Sequence, residues 1–376
     1  MPDNRTEIQY LIALTMVPAI GPVTARKLIK EVGSARAVFS QNRRVLERIE
    51  GIGPVLSRSI NESSLLKQAE REIEFMERHR IDLLSYQNPD FPYRLNQCTD
   101  GPVLLYIRGE QNLHFKKSLS VVGTRRASSY GKGVCREIIR ELAYRIPDLA
   151  IISGLAYGID VIAHRAALEF GLPTVAVLGH GLATIYPHAH RETAKKIIQQ
   201  GALITDFHSG MGPERNNFLR RNRIIAGLTP ATLVVESSQK GGSLITADIA
   251  FSYDREVLTV PGRTVDERSV GCNNMIKGEM ATMVQSAEDI IKHLKWDDDN
   301  SDLLPAAQTI DLTEEEQKLL IAINELPDIT PGTISELLGI PVQNVLAMLL
   351  EMELKEWIST EPGNRYQTKI QIQKAP

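Results

Sequence analysis

Short apolar runs of strand length recur between segments of helical period from residue 81 to residue 284. They are Ile81–Ser85, Val103–Ile107, Leu119–Val122, Ala150–Ile152, Thr174–Leu178, Ala202–Thr205, Thr232–Val235, Val257–Val260 and Ala281–Val284. Most are continuous rather than alternating, and helical patterns separate them. That combination predicts an α/β fold with a doubly wound, mainly parallel sheet covered on both faces. Such sheets take ligands at the carboxyl ends of their strands, so the residues after each run matter most. Those residues are small, polar or charged: Gly123 to Tyr130, Ser153 and Gly154 on to Asp160, Gly179 to Gly181, Asp206 and Phe207, Glu236 to Ser243, and Pro261 with Gly262. Small residues at strand ends let backbone approach a ligand closely.

The flanks carry a different pattern. From Glu7 to about Met76 the period is helical, and two passages resemble each other: VPAIGPVTARKLIKEVG (Val17 to Gly33) and IEGIGPVLSRSINE (Ile49 to Glu62). Each runs apolar, Gly, Pro, apolar, then a helix with a basic residue soon after, as in a helix-hairpin-helix unit. The glycine permits a tight turn, the proline starts the next helix, and free amides there suit a phosphate. Arg26, Lys27 and Arg58 are the candidate cations; a helical bundle whose turns merely need Gly and Pro is the plainer alternative. After Trp296 the run DDDNSDLLP reads as an acidic linker. Beyond it, an amphipathic helix over Leu312 to Asn324, a helix-turn-helix pattern over Thr333–Leu338 and Val342–Glu353, and a hairpin over Trp357 to Gln367 suggest a winged helix. Its second helix offers Gln343 and Asn344 but is otherwise apolar and acidic, which favours protein contact over duplex reading; Arg365 and Lys369 weigh the other way. The expected organisation is a helical domain over 1–76 (helix-hairpin-helix or SAM-like), the sheet domain over 77–296, a linker over 297–311 and the winged-helix-like domain over 312–376.

Composition narrows the partners. Of 376 residues, 43% are hydrophobic and 24% charged, an ordinary globular balance at a length for two or three domains. Net charge is −3, so no global field draws nucleic acid or an anionic membrane, and any basic surface must be local. Cys98, Cys135 and Cys272 form no CxxC pair, which fits a reducing compartment and gives no zinc signature. No stretch approaches the roughly eighteen apolar residues of a membrane span, and the first residues lack an apolar signal region, so the expectation is a cytoplasmic protein with no membrane partner.

Two cationic stretches carry the chemistry. Leu119 to Gly133, LSVVGTRRASSYGKG, reads as strand, phosphate-sized loop and helix. Amides and dipole at the helix start, with Arg125 and Arg126 after Gly123 and Thr124, make an anion site. A dinucleotide fingerprint keeps its loop uncharged so that backbone can press on a pyrophosphate; two arginines suit a longer, more exposed polyanion. The second stretch is NNFLRRNRIIAGL, where Arg220, Arg221 and Arg223 follow Asn217 and Phe218, flank Asn222, and are preceded by Arg215. Bases stack on rings while guanidinium groups hold phosphates, so an aromatic among arginines suits a single strand. A solvated or salt-bridged basic turn is the plain alternative. Pairing with the Gly123 loop at one sheet edge, and with Lys240, Gly241, Gly242 and Ser243 opening another helix, favours a polyanion groove.

Catalytic readings are weaker. Asp160 and His164 stand four apart on one helix and read as a local salt bridge. His180, His188 and His190 match no metal-ligand spacing, and neither a GxSxG elbow nor a Walker loop occurs. No catalytic residue, metal or cofactor is expected.

SVVGTRRASSYG, ISGLAYGIDVIAHRAAL, VAVLGHGLATIYPHAH, NFLRRNRIIAGL, KGGSLITADIA and VPGRTVDERSVGCNNMI, in this order, resemble the DNA processing protein A family (DprA, also called Smf) over roughly Leu83 to Ile290. The resemblance implies an extended Rossmann-like domain that binds single-stranded DNA, dimerises, protects incoming strands in natural transformation and passes them to the RecA recombinase. It places the family's GxR loop on Gly123, Thr124 and Arg125, its basic and aromatic contacts on Arg215 and Phe218, and its RNR run on Arg221, Asn222 and Arg223. Arg126 falls where the family varies and adds supporting charge. Leu219 stands where the family commonly has proline, which implies a looser turn beside Phe218. The resulting expectation is a non-enzymatic single-stranded DNA binding protein whose interface also includes Ser153 and Gly154. The alternatives are a nucleotide-binding hydrolase or transferase using Ser153, Asp160 and Glu236, and an interaction scaffold.

Overall fold

The computed structural model describes residues 4–60, 63–109, 113–296, 313–325, 329–355, 357–361 and 365–368. The expected acidic linker and Lys369 lie outside them. Residues 1–297 form one compact unit and 298–376 another.

Every expected apolar run in the first unit carries a strand: β1 (Asp82–Ser85), β2 (Leu104–Gly109), β3 (Ser118–Val122), β4 (Ala150–Ser153), β5 (Thr174–Val177), β6 (Ala202–Thr205), β7 (Ala231–Val234), β8 (Glu256–Thr259) and β9 (Thr282–Met283). They make one nine-stranded sheet in the order β1-β2-β6-β5-β4-β3-β7-β8-β9. From β6 to β9 all pairings are parallel, while β1 and β2 add an antiparallel margin. Order reverses between β3 and β7, so the loops after β3 and β7 open at a topological switch point.

The helices are α1 (Asn4–Met16), α2 (Pro22–Val32), α3 (Ala35–Ser40), α4 (Arg43–Leu46), α5 (Pro54–Ile60), α6 (Ser63–His79), α7 (Tyr93–Asn96), α8 (Ser129–Arg145), α9 (Ile159–Glu169), α10 (Arg191–Gln200), α11 (Arg215–Leu228), α12 (Gly242–Ser252), α13 (Val270–Lys277) and α14 (Ala287–His293). Strand side chains point alternately to the two faces. Leu119, Val121, Ile151 and Leu233 pack with α8, α9 and α14 on one face. Val122, Ile152, Val177 and Val234 pack with α11 and α12 on the other. The N-terminal helices share a core with β2 through Val103, Leu104 and Tyr106. The sheet domain is the Rossmann-like, doubly wound architecture that the apolar runs and the resemblance implied.

The second unit holds α15 (Glu314–Glu325), α16 (Pro331–Leu338), α17 (Val342–Leu354) and the antiparallel pair β10 (Ile358–Glu361) and β11 (Arg365–Thr368). Thr313 and Glu316 cap α15 reciprocally: the Glu316 N–H donates to Thr313 Oγ1 at 3.2 Å and the Thr313 N–H to Glu316 Oε2 at 2.8 Å. Leu319, Leu320, Ile334, Val345 and Leu349 form its core.

Candidate nucleic-acid interface

The loop after β3 is fixed from both sides. The Thr124 N–H donates to the Glu236 carbonyl at 2.7 Å, and the Ile159 N–H to the Thr124 carbonyl at 3.2 Å. Ser128 caps α8 through the Gly131 N–H at 3.0 Å and also donates its hydroxyl to Glu236 Oε1 at 2.6 Å. With both ends tied to β7 and α9, Arg125 and Arg126 project into solvent.

The whole second cationic stretch is helical. The looser turn expected at Leu219 is absent, because α11 starts upstream at Arg215 and carries Leu219 within it. A 3.6-residue period then divides the basic residues. Arg215 and Arg220 are exposed and Asn222 half-buried, whereas Asn217, Arg221 and Arg223 turn inward. Asn217 donates to the Gly212 carbonyl at 3.2 Å. Arg221 donates Nη1 to the Val177 carbonyl at 2.6 Å, and burial lowers its pKa to about 10 against the pull of Asp160. Its guanidinium fills the space a side chain on Gly154 would need. Arg223 pairs with the Asp206 carboxylate and donates to the Asp100 carbonyl, both inside the protein. Sequence reasoning treated these arginines alike; the structure separates two that anchor α11 to β5 and β6 from two that face outward.

Phe218 is where the two stretches meet. Its ring lies over Gly179, whose missing Cβ would sit 2.7 Å from Phe218 Cδ1. The Arg125 guanidinium carbon is 5.8 Å from its centroid, and the Tyr186 ring is 5.7 Å away at 40°. Tyr186, 47% exposed, was not singled out from the sequence. Only the fold brings its loop beside Phe218; the signal available was an aromatic following a strand end. His180 holds that loop: its Nε2 accepts the Tyr186 N–H at 3.2 Å and its Nδ1 donates to the Gly181 carbonyl at 2.9 Å. That pattern needs the neutral ring, and burial lowers its pKa accordingly. An exposed cation and two adjacent rings at the carboxyl edge of a sheet can hold a phosphate and stack bases.

The model of the DNA recombination-mediator protein A family matches residues 82–295, and that of the DprA winged helix domain matches 304–364. The chain belongs to the DprA family. It is 37% identical over 306 residues to Protein Smf of Escherichia coli K12, covering 79% of this chain and 80% of that one. It is 36% identical over 206 residues to DNA processing protein DprA of Streptococcus pneumoniae R6, covering 55% and 72%. The X-ray structure of DprA from S. pneumoniae superposes with a TM-score of 0.65 at 29% identity, over 76% of this chain and 97% of that one. DNA processing protein A from Helicobacter pylori, described for its single-stranded DNA binding mode, superposes at 0.52 with 27% identity, over 58% and 97%.

The remaining candidates of this DprA-family chain occupy varied settings. Lys240 is exposed and Gly241 and Gly242 open α12, one strand over from the Gly123 loop. Ser243 is buried and donates to Ser237 Oγ at 2.8 Å; Ser153 is buried and donates to the Val121 carbonyl at 2.6 Å. The expected Asp160–His164 salt bridge is not formed. Thr174 donates its hydroxyl to the Ile151 carbonyl at 2.8 Å and so accepts from His164 Nδ1 at 2.7 Å, and burial holds that imidazole neutral with a pKa of about 3. Asp160 instead receives backbone N–H groups of Gly154 and Ala156. Among the described residues no group of three or more His, Cys, Asp or Glu is placed to hold a metal. No single described helix is long and apolar enough to cross a membrane.

Both Gly-Pro steps of the N-terminal passages do start helices, α2 and α5. Arg26, however, is directed inward, donating to the Asn96 and Pro102 carbonyls at 3.4 and 3.2 Å and lying 4.7 Å over the Tyr86 ring. Lys27 pairs with Glu50 at 2.9 Å, and Arg58 is exposed. On α17, Val342, Leu346, Leu350 and Leu354 recur every fourth residue on the exposed side, beside Gln343 and Asn344.

Proposed function

We propose that this protein binds single-stranded DNA along the carboxyl edge of its sheet, protects strands entering in natural transformation, and helps load them onto RecA. The observation that carries the binding is the meeting of Arg125, Phe218 and Tyr186, contributed by three loops or helices at one edge. Arg125, Arg126, Arg215, Arg220 and Lys240 supply the outward charge, and Phe218 with Tyr186 the stacking rings. Gly123, Thr124, Gly154, Gly241 and Gly242 keep backbone low, while Ser153, Asn217, Arg221, Asn222, Arg223 and Ser243 set the shape of the floor. Rings that stack on bases need unpaired bases, which is why single strands are favoured over duplex. With a net charge of −3, affinity must come from this local patch.

The protein acts as a homodimer in the cytoplasm and without catalysis. The non-enzymatic reading is supported by the commitments of the rival residues: Ser153 and Glu236 are taken up in internal hydrogen bonds, and Asp160 is buried against Arg221. The winged helix contacts protein rather than duplex, since the outward side of α17 is apolar where a base reader would carry Arg or Lys. Fluorescence anisotropy of labelled oligo-dT against its duplex across a salt series tests the reading. Arg125→Ala should weaken every single strand about tenfold and flatten the salt dependence by about 0.7 in slope, with the thermal midpoint unchanged. Equal binding of duplex, or indifference to Arg125, overturns it.

A further inference from the structure

Beyond the Phe218 platform, the loop that carries Tyr186 runs on to His188 and then into α10 at Arg191. There it borders a concavity of about 340 Å³ lined by Arg108 of β2, His188, Arg191 and Lys195, over a floor that includes Leu182 and Leu203. Arg191 and Lys195 stand one turn apart on the same side of α10, both exposed. Arg108 reaches it from β2, opposite Leu203 of β6 in the antiparallel register. Among the described residues no carboxylate lines the pocket. The groove beside Tyr130, by contrast, sets Glu236, Asp266 and Glu267 among its arginines. Glu192, outside the lining, pairs with Lys195 at 2.8 Å with both groups exposed, a contact that costs little to give up.

We propose that this pocket is a second phosphate subsite, which receives the DNA strand as it leaves the Phe218–Tyr186 platform. The inference rests on the single-strand reading above and extends it by direction: the DNA turns from the carboxyl edge of β5 onto the flank formed by α10, β6 and β2. Continuity supports this path, because His188 is only two residues beyond Tyr186, about 7 Å of chain at most. The chemistry is that of a polyanion backbone: Arg108, Arg191 and Lys195 converge on the pocket, and only the exposed, easily released Lys195–Glu192 pair competes among the described residues.

The test uses the full chain and two labelled oligo-dT probes, one of about six nucleotides that spans the Arg125–Phe218 platform and one of about twenty that overruns it. In Arg191→Ala/Lys195→Ala, affinity for the long probe should fall about tenfold and its log–log salt slope should become shallower by about 1.4, two phosphate contacts at about 0.7 each. Affinity for the short probe should stay within about twofold. Arg125→Ala should weaken both probes. Unchanged long-probe affinity and slope in the double variant, or equal loss on both probes, overturns the subsite while leaving the platform standing. Indifference of both probes to Arg125→Ala overturns the single-strand reading itself, and the subsite with it. Both substituted side chains are exposed on a helix surface, and an unchanged thermal midpoint separates lost contact from lost fold.

Discussion

The N-terminal hairpins and the carboxyl edge of the sheet are built from similar parts: glycines beside helix starts, with arginines close behind. Arg125 at the edge and Arg26 in the hairpins have opposite fates. At the edge, Arg125, Arg126, Arg215 and Arg220 face solvent because the loops and helices bearing them are pinned by other groups, Glu236 and Ser128 on one side, Arg221 and Arg223 on the other. In the hairpins, Arg26 itself does the pinning, joining α2 to the segment before β2. A cation after Gly-Pro therefore marks a phosphate site only when some other residue holds the structure together.

The sharpest test of this division is Arg223→Ala. It strands the buried Asp206 carboxylate and should cost about 3–5 kcal/mol of folding stability by urea denaturation, with DNA affinity per folded molecule largely kept. A stable variant with abolished binding would show instead that Arg223 touches DNA and that the anchor–contact distinction is false.

The next effect is on pH. The unfolded chain protonates its histidines near pH 6.5, whereas burial keeps the folded pKa of His164 near 3 and lowers that of His180. The unfolded state therefore binds more protons below pH 6.5, and stability falls with falling pH. For His164 the loss approaches about 1.4 kcal/mol per pH unit, and His180 adds in the same direction. For His164 it continues until about pH 3. Denaturation midpoints measured between about pH 7 and 5 should drop, and His164→Asn, which can still donate to Thr174, should make the decline shallower. A flat profile would contradict neutral, buried imidazoles.

The smallest effect separates the two regions directly. Arg26→Ala should lower stability by about 1 kcal/mol through lost packing and hydrogen bonds and leave oligo-dT affinity unchanged, the mirror image of Arg125→Ala. Weakened binding without destabilisation would put the hairpins into the DNA path.

Much of the fold was legible from apolar spacing alone, since strands buried on both faces must be apolar throughout and β3 to β7 are fully buried, while the edge strands β1 and β9 follow short apolar runs without such burial. The site was legible in part. Arg125 and Phe218 stood out because a charged loop after a strand and an aromatic among arginines are unusual locally. Tyr186 was invisible because it lies far from both in sequence, and His164 was misassigned because helical spacing shows which residues share a side but not what packs opposite.

The chain's order of apolar runs, glycines and cations determined the sheet, the edge where ligands approach, and the winged-helix module. Those features depend on local periodicity and on which groups must leave water. Only the tertiary structure decided which arginine faces outward and which acts as a support, and that Tyr186 adjoins Phe218. The reason is physical: a guanidinium's role is set by what surrounds it, and at Arg221 and Arg223 those surroundings come from Val177 of β5, Asp206 just after β6 and Asp100 before β2, distant along the chain.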